Sequence, residues 1–244
     1  MSVVGGPRRS TVFTNTKSFY NELGGQILSA TANSGDLSYL NNQGIISASV
    51  WFKVLAQTNG TFQFVTMVAG RTAYFRFQLN YDTTGASPRA NCFLIINSTQ
   101  ALVGNIIVTL NNGWHHFMCT YDTSVGGKFY VNGNQVLNPT IAQASFTTTT
   151  VKPTFFGGTG VLNEYNATQL AIWNRVLTSQ EVIDVYNNGC PSDLTSLNPN
   201  TWLKMDDAFD NGLGITLPDS GSDNATIEST QQFPQGILTD SPCP

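Results

Sequence analysis

The chain has 244 residues, is 41% hydrophobic and only 11% charged, and carries a formal net charge of −4. That length suits one large all-β domain or two small ones, with room for a sizeable core. Charge well below the usual ~25% marks strands and turns more than exposed helices; the mildly acidic balance excludes the basic footprint of a nucleic-acid binder, and no apolar run reaches the ~18 residues of a membrane-spanning helix.

In chain order, residues 1–20 read as an N-terminal arm. Met1 to Ser10 lack the apolar core of a signal peptide, which predicts no classical secretory route. Pro7, Arg8 and Arg9 are the arm's candidate partner contacts, set against a plain solvated tail. Residues 13–34 are polar and small, with Phe19, Tyr20, Ile27 and Leu28 as isolated anchors. Residues 45–54 form a clear strand in which Ile46, Ala48, Val50 and Phe52 alternate with their neighbours. Further strands are expected at 61–69, 73–81, 91–97 and 102–110, separated by turns rich in Asn, Gly, Thr and Pro. Short strands at this spacing indicate a sandwich, barrel or jelly roll.

The stretch 113–136 is the strongest local signal. Trp114, His116, Met118 and Thr120 point one way, and His115, Phe117, Cys119 and Tyr121 the other. Asn132-Gly133 then marks a type I′ hairpin turn, because both central residues need φ > 0. A helix is expected at about 178–188. Thr178 and Glu181 make a capping box, Val182, Val185 and Tyr186 give one apolar face, and Gly189 stops it. Cys92 and Cys119 sit inside apolar strands as buried thiols. Cys190 and Cys243 bracket the C-terminal segment and could bridge, but the missing export signal argues against an oxidising compartment.

Together these pieces resemble the laminin-G-like, concanavalin A-like jelly rolls. The matching features, in order over residues 36–189, begin with Ser47 to Lys53 and Gly113 to His116 with Tyr121-Asp122. Tyr130 to Gly133, Phe156 to Gly158 and the run from Leu170 to Gly189 complete the set. The resemblance implies an all-β antiparallel β-sandwich of two sheets, a concanavalin A-like jelly roll over residues 21–190. Residues 201–226, with a Trp-containing strand and the turn Asp219-Ser220-Gly221, resemble the family's opening hairpin displaced to the far end. The segment 191–244 is therefore expected to complete a sheet, its own or a neighbour's. More loosely, a segment so placed and a charge-poor composition resemble proteins of marine bacteriophage particles.

The fold also hosts glucanases, whose Glu-x-Asp-x-x-Glu strand sets paired carboxylates on one face. No such run occurs here. Glu164 and Glu181 are isolated, and Glu181 is accounted for by its cap. His115 and His116 are adjacent strand residues on opposite faces and cannot readily share a ligand. Gly157-Gly158-Thr159-Gly160 lacks the helix and lysine of a phosphate-binding loop.

The resemblance brings in calcium, which relatives bind through loop oxygens. Asp36, Asp122, Asn163 and Glu164 are the candidate ligands, with Asp206, Asp207 and Asp210 as a second acidic loop. The spacing of a calcium loop is missing, and Gln169 stands where many relatives place an aspartate. Solvated turn carboxylates are the simpler reading. For a lectin-like role, Tyr74, Tyr81, Tyr165 and Trp202 are the candidate sugar platforms, each equally readable as core. The triplets beginning at Asn59, Asn97, Asn166 and Asn224 are at chance frequency in so Asn- and Thr-rich a chain.

The expected function is non-enzymatic and structural, without cofactor. The protein reads as a virion surface component, a capsid decoration protein that forms homo-oligomers and binds neighbouring capsid subunits through its arm and sandwich edges. The alternative is a carbohydrate-binding receptor-recognition module on a tail fibre or similar surface. Neither reading involves nucleic acid or a membrane.

Overall fold

A computed structural model describes residues 13, 15–21, 28–30, 37–55, 60–69, 71–82, 89–107, 110, 113–136, 140–159, 165–210, 214–228 and 237–243. The strands in chain order begin with β1 (Ser18–Asn21), β2 (Leu28–Ala30), β3 (Ile45–Val54), β4 (Gly60–Ala69), β5 (Thr72–Asp82) and β6 (Arg89–Ile96). Then come β7 (Thr99–Ile107), β8 (Trp114–Asp122), β9 (Gly126–Val131), β10 (Asn134–Gln135), β11 (Thr140–Ile141), β12 (Thr154–Thr159) and β13 (Tyr165–Trp173). Helix α1 (Ser179–Tyr186) is followed by β14 (Thr201–Leu203), β15 (Phe209–Asp210), β16 (Ile215–Pro218), β17 (Thr226–Glu228) and β18 (Ile237–Leu238).

Two antiparallel sheets form a sandwich. One runs β10-β9-β8-β3-β13-β1-β18, with β14 also paired to β13; the other runs β11-β7-β6-β5-β4-β12-β2-β17-β16-β15. We call them the first and second sheets. Alternation puts Val50, Phe52, Phe117, Cys119 and Tyr121 of the first sheet against Phe64, Phe75, Phe77 and Leu79 of the second, all fully buried. Phe117 lies at the heart of this core, stacked on Phe77 with ring centroids 4.7 Å apart and on Phe129 at 5.4 Å. Burial raises the thiol pKa of both Cys92 and Cys119, which sit in this core as inert small hydrophobes.

The first sheet is covered on its other face as well. Val182 and Val185 of helix α1 join Met118, Tyr130, Ala171, Trp173 and Trp202 in a second buried apolar cluster. This second apolar layer explains why β13 is buried at every position instead of at alternate ones. The capping box forms as expected: Glu181 N donates to Thr178 Oγ1, and Thr178 N donates to Glu181 Oε2 at 2.8 Å. Asn132 and Gly133 adopt φ of 51° and 73°, the turn their sequence announces.

Several expectations shift at this level. The N-terminal arm is not wholly separate. Phe13 stacks on Trp202, and Asn15 Oδ1 accepts hydrogen bonds from Thr168 and Gln169. Strand β1 then pairs with β13, so Phe13 and residues 15–21 belong to the sandwich. Pro7, Arg8 and Arg9 lie outside the described residues. The C-terminal segment pairs within its own chain: β14 joins the first sheet through β13, and β17 joins the second through β2. Cys190 and Cys243, which the lack of an export signal set apart, are joined in a disulfide.

Candidate binding groove

The outer face of the first sheet reads as a ladder of rungs, because cross-strand partners share a face. The registers align Trp114 with Lys53 and Lys53 with Asn166, then His116 with Trp51 and Trp51 with Thr168. Next come Met118 with Ser49, and Thr120 with Ser47. Tyr186 of α1 covers the second rung, its ring stacked on Trp51 at 5.8 Å. The body of α1 covers the third. The approach to α1 is pinned to the fourth rung, where Ser47 Oγ donates to Arg175 O and accepts from Leu177 N.

Beyond that pin the sheet edge is open. A groove of about 550 Å³ lies between the hairpin β8–β9–β10 and the residues leading into α1. Thr120, Lys128, Tyr130 and Gln135 line it on one side, and Val176, Leu177, Thr178 and Ser179 on the other. Val125 and Ile141 complete its rim. These two and Val176 are 82%, 45% and 39% exposed, so three of the large apolar side chains left in solvent gather at one place. Gly126 shapes the rim at φ of 95°, a conformation L side chains rarely adopt, beside the Ile141 side chain. The polar complement is an ammonium, an amide, hydroxyls and one ring, with no carboxylate, imidazole or thiol among the lining residues.

The entry to α1 is rigid. Arg175 grips Glu181 through a hydrogen bond from Nη1 to Oε2 at 3.0 Å and an ion-pair contact of Nη2 with Oε1 at 2.8 Å. With the Arg175 hydrogen bonds as the main cause, the Glu181 carboxyl is held down at about 2. The same guanidinium donates to Leu197 O.

The residues singled out in the sequence do not converge on this groove. Tyr165 is buried edge-on against Phe62 and Phe64, and Tyr81 is buried in the core. Trp202 is buried too: Phe13 stacks on its ring, Lys204 Nζ lies 4.8 Å from the ring centroid, and its Nε1 donates to Gln169. None of these three faces is offered to a sugar: Tyr81 and Tyr165 point into the core between the sheets, and Trp202 lies in the covered layer on the outer face of the first sheet. Tyr74 is partly buried against the core. Asp122 accepts two hydrogen bonds from Ser124 within its own turn, which lower its pKa. Asp206 accepts from Thr16, and Asp207 pairs with Lys204 and Ser220. Asp36, Asn163 and Glu164 lie outside the described residues, as does the Asp210 side chain. Among the described residues no three His, Cys, Asp or Glu side chains gather as a metal site. His115 packs toward Phe52, and His116 lies on the opposite face between Trp51 and Tyr186.

Gln169 occupies a bulge at φ 52°, where the β13–β3 register shifts between Thr168 and Ala171. The strand exchanges β1 for β14 across this bulge.

A family model described as the concanavalin A-like lectin/glucanases superfamily, of laminin G type, matches residues 25–183. No curated protein matches the chain. Among solved structures, one concerns botulinum neurotoxin type C and its interaction with two ganglioside molecules. It is 11% identical with a TM-score of 0.47, over 85% of this chain and 58% of that one. The binding domain of botulinum neurotoxin DC in complex with SialylT is 10% identical with a TM-score of 0.47, over 85% and 58%. A Trypanosoma rangeli sialidase is 14% identical with a TM-score of 0.47, over 71% and 27%. This likeness is one of fold alone, and the chain spans little more than half of the toxin structures.

Proposed function

Because the chain belongs to the concanavalin A-like lectin/glucanases superfamily, we propose that it is a carbohydrate-binding module without catalytic activity, and that its ligand lies in the groove between β8–β10 and the start of α1. The composition of that groove carries the reading. Lys128, Gln135, Thr178 and Ser179 supply donors and acceptors for sugar hydroxyls, and Val125, Ile141, Val176 and Tyr130 supply the apolar surface against which sugar C–H faces pack. Glycoside hydrolysis requires two carboxyl groups flanking the scissile bond. The groove lining has none, which favours binding over cleavage.

The test is a glycan array probed with the full chain, followed by titration of the best ligand into K128A and Q135A. A bound glycan whose affinity drops about tenfold in each variant, without release of reducing sugar, is the expected result. An array with no binder, or affinity indifferent to both substitutions, sinks the reading.

The second reading places the domain on a virion, as a capsid decoration subunit or as the receptor-recognition part of a fibre. The low charge and the abundance of Asn, Thr and Gly support it. For the decoration role, however, the docking arm is shortened, since Phe13 and residues 15–21 are engaged by the chain's own first sheet. Co-purification with particles, against binding of free glycan, separates the two.

A further inference from the structure

The rung farthest from the groove carries a second feature. Trp114, Lys53 and Asn166 sit side by side on β8, β3 and β13. All three donate to one carboxylate. Lys53 Nζ lies 3.0 Å and Asn166 Nδ2 2.9 Å from Asp240 Oδ2, while Trp114 Nε1 lies 3.3 Å from Oδ1. Asn166 is 1% exposed, and its Oδ1 has no hydrogen-bond partner among the described residues.

Asp240 belongs to a thin strap. Strand β18 pairs with β1 at two positions, the chain then crosses the rung, and Cys243 is bonded to Cys190 just beyond α1. Burial works against the charge of Asp240, yet the hydrogen bonds from Lys53, Trp114 and Asn166 outweigh it and lower its pKa. The side chains of Lys53 and Asp240 are 22% and 32% exposed, so solvent reaches the contact.

An ammonium, an indole N–H and an amide on three rigid strands form a receptor for a carboxylate. The idle Asn166 Oδ1 beside them matches a hydroxyl donor, and the half-buried Trp114 ring provides an apolar wall. A sugar ring bearing a carboxylate presents all of these groups at once.

We propose that the Trp114–Lys53–Asn166 rung is a binding site for a carboxylate-bearing sugar, a uronic or sialic acid residue, which the chain's own Asp240 occupies. A tethered carboxylate acts at an effective concentration of about a millimolar or more, so the free sugar competes poorly while the strap is down. Release of the strap, by reduction of Cys190–Cys243 or by loss of the tail, opens the site. This site is separate from the groove and stands or falls independently of it.

The test titrates D-glucuronate, D-glucose and acetate into the full chain as wild type, D240A and K53M/D240A, with a thermal melt to establish folding. Apparent affinity scales with the fraction of sites left open, so D240A is expected to bind glucuronate about tenfold more tightly than wild type. Glucose binding does not change between wild type and D240A, K53M/D240A loses the gain for glucuronate, and adding K128A leaves that gain intact, which keeps a failure of the groove reading distinguishable. A folded D240A that binds glucuronate no better than wild type makes Asp240 a mere tail fastening and overturns the proposal. Acetate binding as tightly as glucuronate overturns the assignment to a sugar. If D240A does not fold, wild type with the disulfide reduced gives the same readout: a gain supports the site and no gain rejects it.

Discussion

Asp219 Oδ1 accepts the backbone N–H of Trp202 at 2.6 Å and that of Gly221 at 2.7 Å. One carboxylate thereby clasps the two sheets together, since β14 lies in the first and the turn from β16 to β17 in the second. Ser220 N donates to Trp202 O and Asp219 N to Ala225 O, closing the clasp on both sides. Gly221 is required because a Cβ there would run into the Asn200 backbone.

The clasp makes a prediction about pH. Burial lifts the Asp219 pKa from 3.8 to about 6, against the pull of the two N–H donors. A raised folded pKa means that the group's contribution to stability is fully present below pH ~4 and lost as pH rises through about 6. The full effect is roughly 3 kcal/mol. D219N keeps the acceptor at Oδ1 without the charge. Its stability relative to wild type, from urea unfolding, is therefore expected to climb between pH 4 and 7. A difference that stays constant across that range counts against the buried charge.

The strap makes a prediction about redox state. Cys190 and Cys243 are 53 residues apart, so their bond removes about 4 kcal/mol of loop-closure entropy from the unfolded chain. C190S/C243S, or wild type in reductant, is expected to unfold at lower denaturant with a larger slope. Equal midpoints with and without reductant would show that the bond contributes nothing.

Legibility from sequence followed locality. The β3 alternation, the Asn132-Gly133 turn and the Thr178–Glu181 capping box each depend on residues a few positions apart, and each is found where expected. The groove is assembled from Thr120, Lys128, Tyr130 and Gln135 on one stretch and residues 176–179 on another, far apart in the chain. No local period announces such a meeting, so the hairpin 113–136 reads as scaffold although its edge forms a groove wall. The Tyr81, Tyr165 and Trp202 rings were misleading for a related reason. Strand periodicity assigns a face, but whether that face is wet depends on what covers it, here α1, Phe13 and the opposite sheet. The left-handed Gln169 carried no signal, because glutamine has no preference for that conformation.

The aromatic core makes a third prediction. Phe117 is fully buried and touches the rings of Phe64, Phe77 and Phe129. F117A leaves a cavity that neighbours on two opposed sheets cannot collapse into, so a loss of about 3–5 kcal/mol is expected in chemical unfolding. F117L refills most of that volume and should cost less than half as much. Equal losses for both variants would point to the ring contacts and not to volume.

His116 titrates with the opposite sign to Asp219. It is fully buried under Tyr186 and beside Trp51, and neither ring nitrogen has a hydrogen-bond partner among the described residues. Burial lowers its pKa from 6.5 to about 3, which means the fold holds a neutral imidazole. The stability associated with that neutral ring is therefore present above pH ~6.5 and lost as pH falls toward 3, where the unfolded chain binds the proton first. The loss is on the order of 5 kcal/mol at the acid limit. H116F keeps an aromatic ring between Trp51 and Tyr186 and removes both unpaired nitrogens, a change that costs little when partners are absent on both sides. Near pH 8 the two proteins should differ slightly. Below pH 6.5 the advantage of H116F should widen steadily, while D219N shows its advantage at the other end of the range. Parallel stability curves for wild type and H116F between pH 6.5 and 4 would mean that a proton on His116 finds a partner, and that the layer beneath α1 is wetter than its burial implies.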